Sequence, residues 1–373
     1  MKQLLPLTLL LQTLSITAQK PVHLIAGTYT GGKSEGIYVY QFNPKNGKSK
    51  LLGSTTISNP SFIAVSPDKN YVYAVTEDAN SNNNGGGVAA FRFDKKNGKL
   101  QPLNQTLSRG NHPCYVACDA TGKWLFAGNY SSGNFSVFPL LQDGSIGTVQ
   151  QTIQHRGSGP NTERQEAPHV HGLFLNAANT RLYVPDLGID KVMLYHFDAV
   201  SGALTTAQPP HIPLPGGSGP RHLSIHPSGK YVYVAAELTA AVAVFALTEK
   251  NDYKFLQTIS AVPENYTGSL SAADIHVSPD GKYLYASCRG EANSIAIYTI
   301  NPYTGVLAIA GHQPALGIKP RNFNFDPSGN FLLVANQDSN SIVVFKIDHS
   351  TGLLTDTGNR IEIPNPACIQ WID

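Results

Sequence analysis

The chain has 373 residues, a formal net charge of +2 and 14% charged residues, well below the roughly 25% of ordinary soluble proteins. Its 34 glycines and 25 prolines supply many turns, and so few charged helical faces favour an all-β chain. No Lys/Arg run marks a polyanion-binding surface, so nothing in the charge pattern argues for a nucleic-acid partner.

Residues 1–18 (MKQLLPLTLLLQTLSITA) read as a secretory signal peptide. Lys2 is the positive start, residues 4–14 the apolar centre and residues 15–18 a small-residue cleavage zone. The apolar run is too short to span a bilayer, and Leu-rich runs with few β-branched residues rarely make strands. The expectation is cleavage near Ala18, a single domain over residues 20–373, and a periplasmic or extracellular location. No later segment approaches 18 consecutive apolar residues, so no membrane span is expected in the mature chain.

From residue 60 onward one unit repeats: a short strand, a Pro/Gly turn and a second apolar strand. It occurs at 60–77 (PSFIAVSPDKNYVYAVTE), 113–130, 220–237 (PRHLSIHPSGKYVYVAAE), 272–289 and 320–337. Residues 168–187 (PHVHGLFLNAANTRLYVPDL) are a longer variant, read as carrying two extra residues in the turn. The last partial copy, PACIQWID, begins at Pro366. Third-strand runs of alternating apolar residues follow at 36–42, 87–93, 134–140, 191–197, 241–247, 294–300 and 341–347, most of them before a Gly-bearing turn. Both counts give seven. Repeats of 46–55 residues with four strands each predict an all-β, seven-bladed β-propeller of antiparallel blades. Residues 22–29 match a second strand, so the missing first strand is the C-terminal 366–372. One blade is then built from both ends of the chain, which closes the ring and removes an open sheet edge.

Function is sought where the copies disagree. The position after each leading residue reads Ser61, Cys114, His169, Arg221, Ala273, Arg321, Ala367. The end of the second strand reads Tyr29, Glu77, Tyr130, Leu187, Glu237, Arg289, Gln337. A third ring reads Ile63, Val116, His171, Leu223, Ile275, Phe323, Ile369, with His171 its only polar member. Arg221, Arg289 and Arg321 converging on one channel call for an anion, and Arg forks suit a carboxylate or phosphate. The structural alternative is pairing with Glu77, Glu237, Asp186 or Asp274. Polar residues alternating with the apolar ring (His222, Ser224, Asp274, His276, Asn322, Asn324) read mainly as blade-to-blade hydrogen-bonding groups. His169 is a rim ligand or polar filling. No Cys/His metal spacing, phosphate-binding Gly loop or Gly-x-Ser-x-Gly elbow occurs, so no metal or cofactor is expected. Cys114, Cys118, Cys288 and Cys368 read as buried free thiols; Cys114 and Cys118, roughly 13 Å apart along one strand, cannot bridge each other.

At GTYTGGKSEGIYVY (27–40), PHVHG (168–172), GSGPRHLSIHPSGKYVYVAAEL (217–238), DIHVSPDGKYLYASCRG (274–290) and PRNFNFDPSGNFLLVANQ (320–337), the sequence resembles the seven-bladed lactonase family. That family contains propeller-type 6-phosphogluconolactonases, and carboxy-cis,cis-muconate lactonising enzymes are its structural relatives. The resemblance implies a lactone hydrolase acting on a sugar-acid lactone, with His171, Glu237, Arg221 and Arg289 catalytic. The rings add Arg321, His169, Asp274 and Gln337 as substrate-binding candidates. Either Glu237 or His171 would activate water, and the other would protonate the departing alkoxide. Two alternatives remain open: a muconate-type cycloisomerase, and a non-catalytic exported binding propeller. The implied partner is a small anionic lactone.

Overall fold

The structure, a computed structural model, describes residues 20–79 and 85–372; the signal peptide expected over residues 1–18 lies outside them. Seven four-stranded antiparallel sheets follow one another around a central axis. We number them by their main strands: blade 1 (residues 22–56), blade 2 (63–107), blade 3 (113–154), blade 4 (174–213), blade 5 (220–260), blade 6 (272–314) and blade 7 (320–362). Blade 1 takes its innermost strand, Pro366–Trp371, from the C-terminus, antiparallel to Val22–Thr28. The closure expected from the repeat phase is therefore present.

Alternation along the strands dictates how blades stack. The second strands Tyr231–Ala236, Tyr283–Cys288 and Phe331–Asn336 are buried along their whole length, because both faces pack against neighbouring blades. A recurring tie joins adjacent blades. Gly144, Gly202, Gly305 and Gly352 occupy outer turns at φ of 87°, 73°, 71° and 74°. Each lies under an aromatic ring of the preceding blade: Tyr71, Trp124, Tyr231 and Tyr283. An added Cβ would come within 2.1–2.4 Å of the ring, so the turn geometry and the close approach both demand glycine. Tyr73, Tyr233 and Tyr285 also donate to the carbonyls of Gly144, Gly305 and Gly352 at 3.0, 3.0 and 2.6 Å.

Near the axis, Asp274 joins three blades. It accepts from His222 Nδ1 (2.8 Å) of blade 5 and from Asn322 Nδ2 (2.5 Å) of blade 7, while His276 Nε2 lies 3.0 Å away in its own blade. Asn322 Oδ1 then accepts from Ile369 N–H at 2.8 Å, and Asn324 donates to Ile369 O at 3.1 Å. These bonds carry the network into the closing strand. Beside it, Phe62, Tyr115, Phe174 and His222 form an aromatic cluster, with Phe62 stacked on Tyr115 at 4.0 Å. The four cysteines are free; Cys114, Cys288 and Cys368 are buried and Cys118 is half-buried.

One part of the expected alignment is overturned in blade 4. The turn at Asn176–Arg181 has the same hydrogen-bonded span as His226–Tyr231, so it holds no extra residues. Phe174 pairs with Tyr183 as Ser224 pairs with Tyr233, and the Val170–Asp186 bridge stands where Pro220–Ala236 stands in blade 5. The two additional residues, Pro168 and His169, precede the strand. Asp186 holds them there by accepting from His169 N–H at 2.6 Å. His171 therefore belongs to the ring of Ser61, Cys114, Arg221, Ala273, Arg321 and Ala367, and Leu173 fills the apolar ring.

The ring closure has a direct consequence. Removing residues 366–372 strips the inner partner from Val22–Thr28 and uncovers the buried Leu24, Ile25 and Ala26. The shortened chain should lose its cooperative thermal transition, read by circular dichroism. A truncated chain that melts at the full-length temperature contradicts the closure.

Candidate active site

The site lies where the second strands end and the inner strands begin. Just after each leading residue the inner strands slip register, between Pro220 and Leu223, Ala272 and Ile275, and Pro320 and Asn322. A bulge re-aims the side chain at that point. The residues so placed meet around the axis: Cys114 Sγ is 3.7 Å from His171 Nδ1, and Arg221 Nη1 donates to Ala273 O at 2.7 Å.

Glu237, at the end of the second strand of blade 5, is the centre of this cluster. Its side chain is 6% exposed. Oε1 accepts from Arg164 Nη2 at 2.7 Å, while Oε2 lies 3.1 Å from Arg221 Nε and 3.0 Å from Arg289 Nη2. Burial alone would raise the carboxyl's pKa, but the charges of Arg289 and Arg221 and the hydrogen bond from Arg164 hold it down at about 2. The three cations do not share the position equally. Arg221 is 2% exposed and enclosed by Glu237, Ala273 O and the His222 ring. Burial, with Arg289 and Arg321 nearby, lowers its pKa to about 10, so it stays cationic at neutral pH. Arg289 is 11% exposed, and its contacts to Glu237 and Ala272 O both use Nη2. The Nε atoms of Arg221 and Arg289 are buried with no aligned acceptor among the described residues; the Arg221 Nε contact with Glu237 is close in distance but poorly directed.

His171 faces this carboxylate. Its Nε2 is 3.9 Å from Glu237 Oε2, too long for a direct hydrogen bond. Burial, reinforced by Arg221, His222 and Arg321, pushes its pKa well below the ordinary value, so the ring is neutral at pH 7. The backbone explains why a histidine can sit here. Pro185, opposite, offers only its carbonyl, which accepts from His171 N–H at 3.0 Å. With no N–H to return, the ladder breaks and the inner strand resumes only at Phe174–Leu175. Cys114 beside His171 is no thiolate: burial and Glu77 push its pKa far above the usual thiol range.

The structure thus brings His171, Glu237, Arg221 and Arg289 into one cluster. Arg321 lies on the same ring with its guanidinium 5.1 Å over the Tyr29 ring. His169 sits at the rim, stacked on Tyr130 at 4.5 Å and bound to Tyr130 O and Glu166. Gln337 stands at the end of its second strand, its Oε1 buried without a partner among the described residues. Asp274 lies one layer inside the wall, both of its oxygens engaged by the blade-joining bonds given above. Arg164 was missed by the repeat comparison because it sits on the loop leading into blade 4 (155–168), outside the repeated strand pair; only its proximity to PHVHG in sequence could have flagged it. Tyr130, whose hydroxyl is 3.3 Å from Arg164 Nη2, was visible as a polar ring member.

A cavity of about 960 Å³ opens at the opposite mouth and is lined by Tyr115, Phe174, Arg181, Ser224, His226 and His276 among others. None of the charged cluster borders it. Its Arg181 is taken by Tyr253 and both nitrogens of its His226 are engaged. No cluster of His, Cys, Asp or Glu suited to a metal ion occurs among the described residues, and no helix there is long and apolar enough to cross a membrane.

Residues 23–371 match the family model described as lactonase, seven-bladed β-propeller. A 6-phosphogluconolactonase of Bacillus subtilis (strain 168) is 36% identical over 348 residues, 93% of this chain and 97% of its own. One from Formosa agariphila is 37% identical over 351 residues, 93% of this chain and 98% of its own. The solved periplasmic gluconolactonase of Pseudomonas aeruginosa superposes with a TM-score of 0.89 at 33% identity, covering 95% of this chain and 99% of that one.

The arginine clamp makes a pH-dependent contribution to folding. A carboxyl depressed from 4.5 to about 2 stabilises the native state fully above pH 4.5, and loses that contribution as pH falls through 2. Urea melts of wild type and Glu237→Gln should differ by about 3 kcal/mol at pH 7 and by about half that at pH 3. A difference that does not shrink at pH 3 contradicts the depressed carboxyl.

Proposed function

The chain belongs to the seven-bladed β-propeller lactonase family, and from that premise we propose that its arginine–glutamate–histidine cluster hydrolyses the ring ester of a sugar-acid lactone. The observation carrying this reading is the placing of a neutral, buried His171 beside a Glu237 that is ionised at neutral pH, at one mouth. Both relatives named 6-phosphogluconolactonase and the gluconolactonase structure favour hydrolysis over the cycloisomerase and binding-scaffold alternatives.

The two groups divide the work by their environments. Glu237, held ionised by three arginines, is a weak base; it fixes the cations and stabilises positive charge on the neighbouring imidazole. His171 is the proton carrier. Water attacks the lactone carbonyl carbon while His171 takes its proton. The carbonyl oxygen becomes an oxyanion facing Arg289, whose Nη1 is free of protein partners among the described residues, and the buried charge of Arg221 adds to the field. On collapse the ring C–O bond breaks, and the imidazolium returns its proton to the departing alkoxide. The products are a hydroxyl and a carboxylic acid, which ionises at neutral pH. Glu237, Arg221 and Arg164 position; His171 and Arg289 act on the substrate. Among the other candidates, His169 and Gln337 would contact the substrate's hydroxyls, and Asp274 would act only through His222 and Arg221.

We also propose that residues 1–18 direct export and that the mature protein works in the periplasm. The signal-like start and the likeness to a periplasmic gluconolactonase support this. Mass analysis of the N-terminus from a periplasmic fraction should find a chain starting near Gln19; an intact Met1 in the cytosol contradicts it.

His171→Asn should lower kcat on δ-gluconolactone or its 6-phosphate by roughly 10²–10⁴-fold with little change in KM, after subtraction of spontaneous hydrolysis. In the wild type, kcat/KM should be level through neutral pH and fall only on the acid side, where the depressed imidazole gains its proton. A variant with wild-type kcat contradicts the assignment.

A further inference from the structure

Cys114 touches His171 at the ring nitrogen turned away from Glu237. It sits in the register slip between Pro113 and Tyr115 of blade 3 and is buried. Its sulfur makes two contacts, one of 3.5 Å to the carbonyl oxygen of Val170 and one of 3.7 Å to His171 Nδ1. The thiol therefore meets both the backbone just before His171 and the side chain of His171 itself. Burial, with Glu77 nearby, keeps the proton on the sulfur.

One thiol proton cannot serve both contacts. Val170 is fully buried, and its carbonyl accepts no other hydrogen bond from the described residues. A carbonyl can only accept, and a buried one left without a donor is costly. The thiol proton is thus committed to Val170 O, and the sulfur meets Nδ1 as an acceptor. Nδ1 must then carry the hydrogen of the neutral ring, which leaves the lone pair on Nε2. Glu237 pulls the other way, because a hydrogen on Nε2 would point toward its carboxylate. That pull is weak: 3.9 Å is too long for a hydrogen bond, and the same oxygen is already met by Arg221 and Arg289. Tyr130 and His222, in T-shaped contact at 5.3 and 5.5 Å, hold the plane of the imidazole.

We infer that Cys114 is a positioning residue of the site: its sulfur accepts from His171 Nδ1 and so keeps Nε2 free to take the proton of the attacking water. This inference rests on the lactonase reading and deepens it by naming what sets the tautomer of the base. The opposite tautomer, with its hydrogen on Nε2, has no lone pair toward Glu237 and cannot act as the base there. When Nε2 receives the water proton, Nδ1 keeps its hydrogen on the sulfur. The thiol neither gains nor loses a proton through the cycle. A serine hydroxyl offers the same single donor and an acceptor, whereas alanine offers neither.

Nitrogen-15 spectra of protein labelled at histidine, with His171 assigned by its absence in His171→Asn, read the tautomer at neutral pH. The wild type should show the hydrogen on Nδ1 and an unprotonated Nε2. Cys114→Ala should move His171 toward the Nε2–H form. It should also lower kcat on δ-gluconolactone or its 6-phosphate roughly 3–10-fold, the size of one lost hydrogen bond, with little change in KM. Cys114→Ser should restore both the tautomer and the rate. A wild type with its hydrogen on Nε2 overturns the inference, as does a Cys114→Ala protein that keeps either the wild-type tautomer or the wild-type kcat. Should Cys114→Ala not fold, the wild-type and Cys114→Ser spectra decide: both must show the hydrogen on Nδ1. A wild type that opens neither lactone refutes the lactonase reading instead, and the nitrogen spectra still decide the tautomer.

Discussion

The buried carboxylate of Glu237 is the constraint on which the mouth of the propeller depends. Arg221, Arg289 and Arg164 come from blade 5, blade 6 and a loop before blade 4, and without a shared anion they would repel one another. The cost of burying one ionised acid is offset only because several donors meet it at once. This requirement fixes where the second strands of blades 5 and 6 must end. It also reaches into the wall, since Arg221 is braced by Ala273 O and the His222 ring, and His222 by Asp274. The bonds that hold three blades together are thus the bonds that aim an arginine at the site.

The same charges decide which group can move a proton. Identical burial acts oppositely on an acid and on a base: it raises carboxyl pKa values and lowers imidazole ones. Arg289, Arg221 and Arg164 reverse the first effect at Glu237, while Arg221, His222 and Arg321 strengthen the second at His171. Glu237 remains an anion and His171 remains neutral. A neutral imidazole 3.9 Å from a fixed negative charge can accept a proton and be stabilised once it has done so. The neighbouring Cys114 thiol is kept protonated by its burial.

Much of this was legible in the repeats. Strand alternation and turn glycines recur with a regular spacing, so blade number and ring closure follow from local pattern alone. His171, Arg221, Glu237 and Arg289 stood out because a repeat predicts what each position should hold. The failures have physical causes. Pro168 and His169 precede their strand, where Asp186 captures them; counting from the leading proline therefore put His171 in the wrong ring. Arg164 sits on a connecting loop outside the repeated strand pair, so the comparison between copies did not reach it. Asp274 carries charge at a ring position, yet its neighbours His222, His276 and Asn322 consume its oxygens. Sequence showed the charge but not that it was already occupied.

The account stands most directly on the ionisation of Glu237 in the folded protein. Carboxyl carbon-13 chemical shifts in wild-type protein labelled at glutamate, with Glu237 assigned by its absence in Glu237→Gln, would follow that group as pH is lowered. The account predicts that Glu237 stays ionised until about pH 2, after the surface glutamates have titrated. A Glu237 signal that titrates at or above 4.5 would show that the arginines do not hold the carboxylate, and would contradict the division of roles between Glu237 and His171.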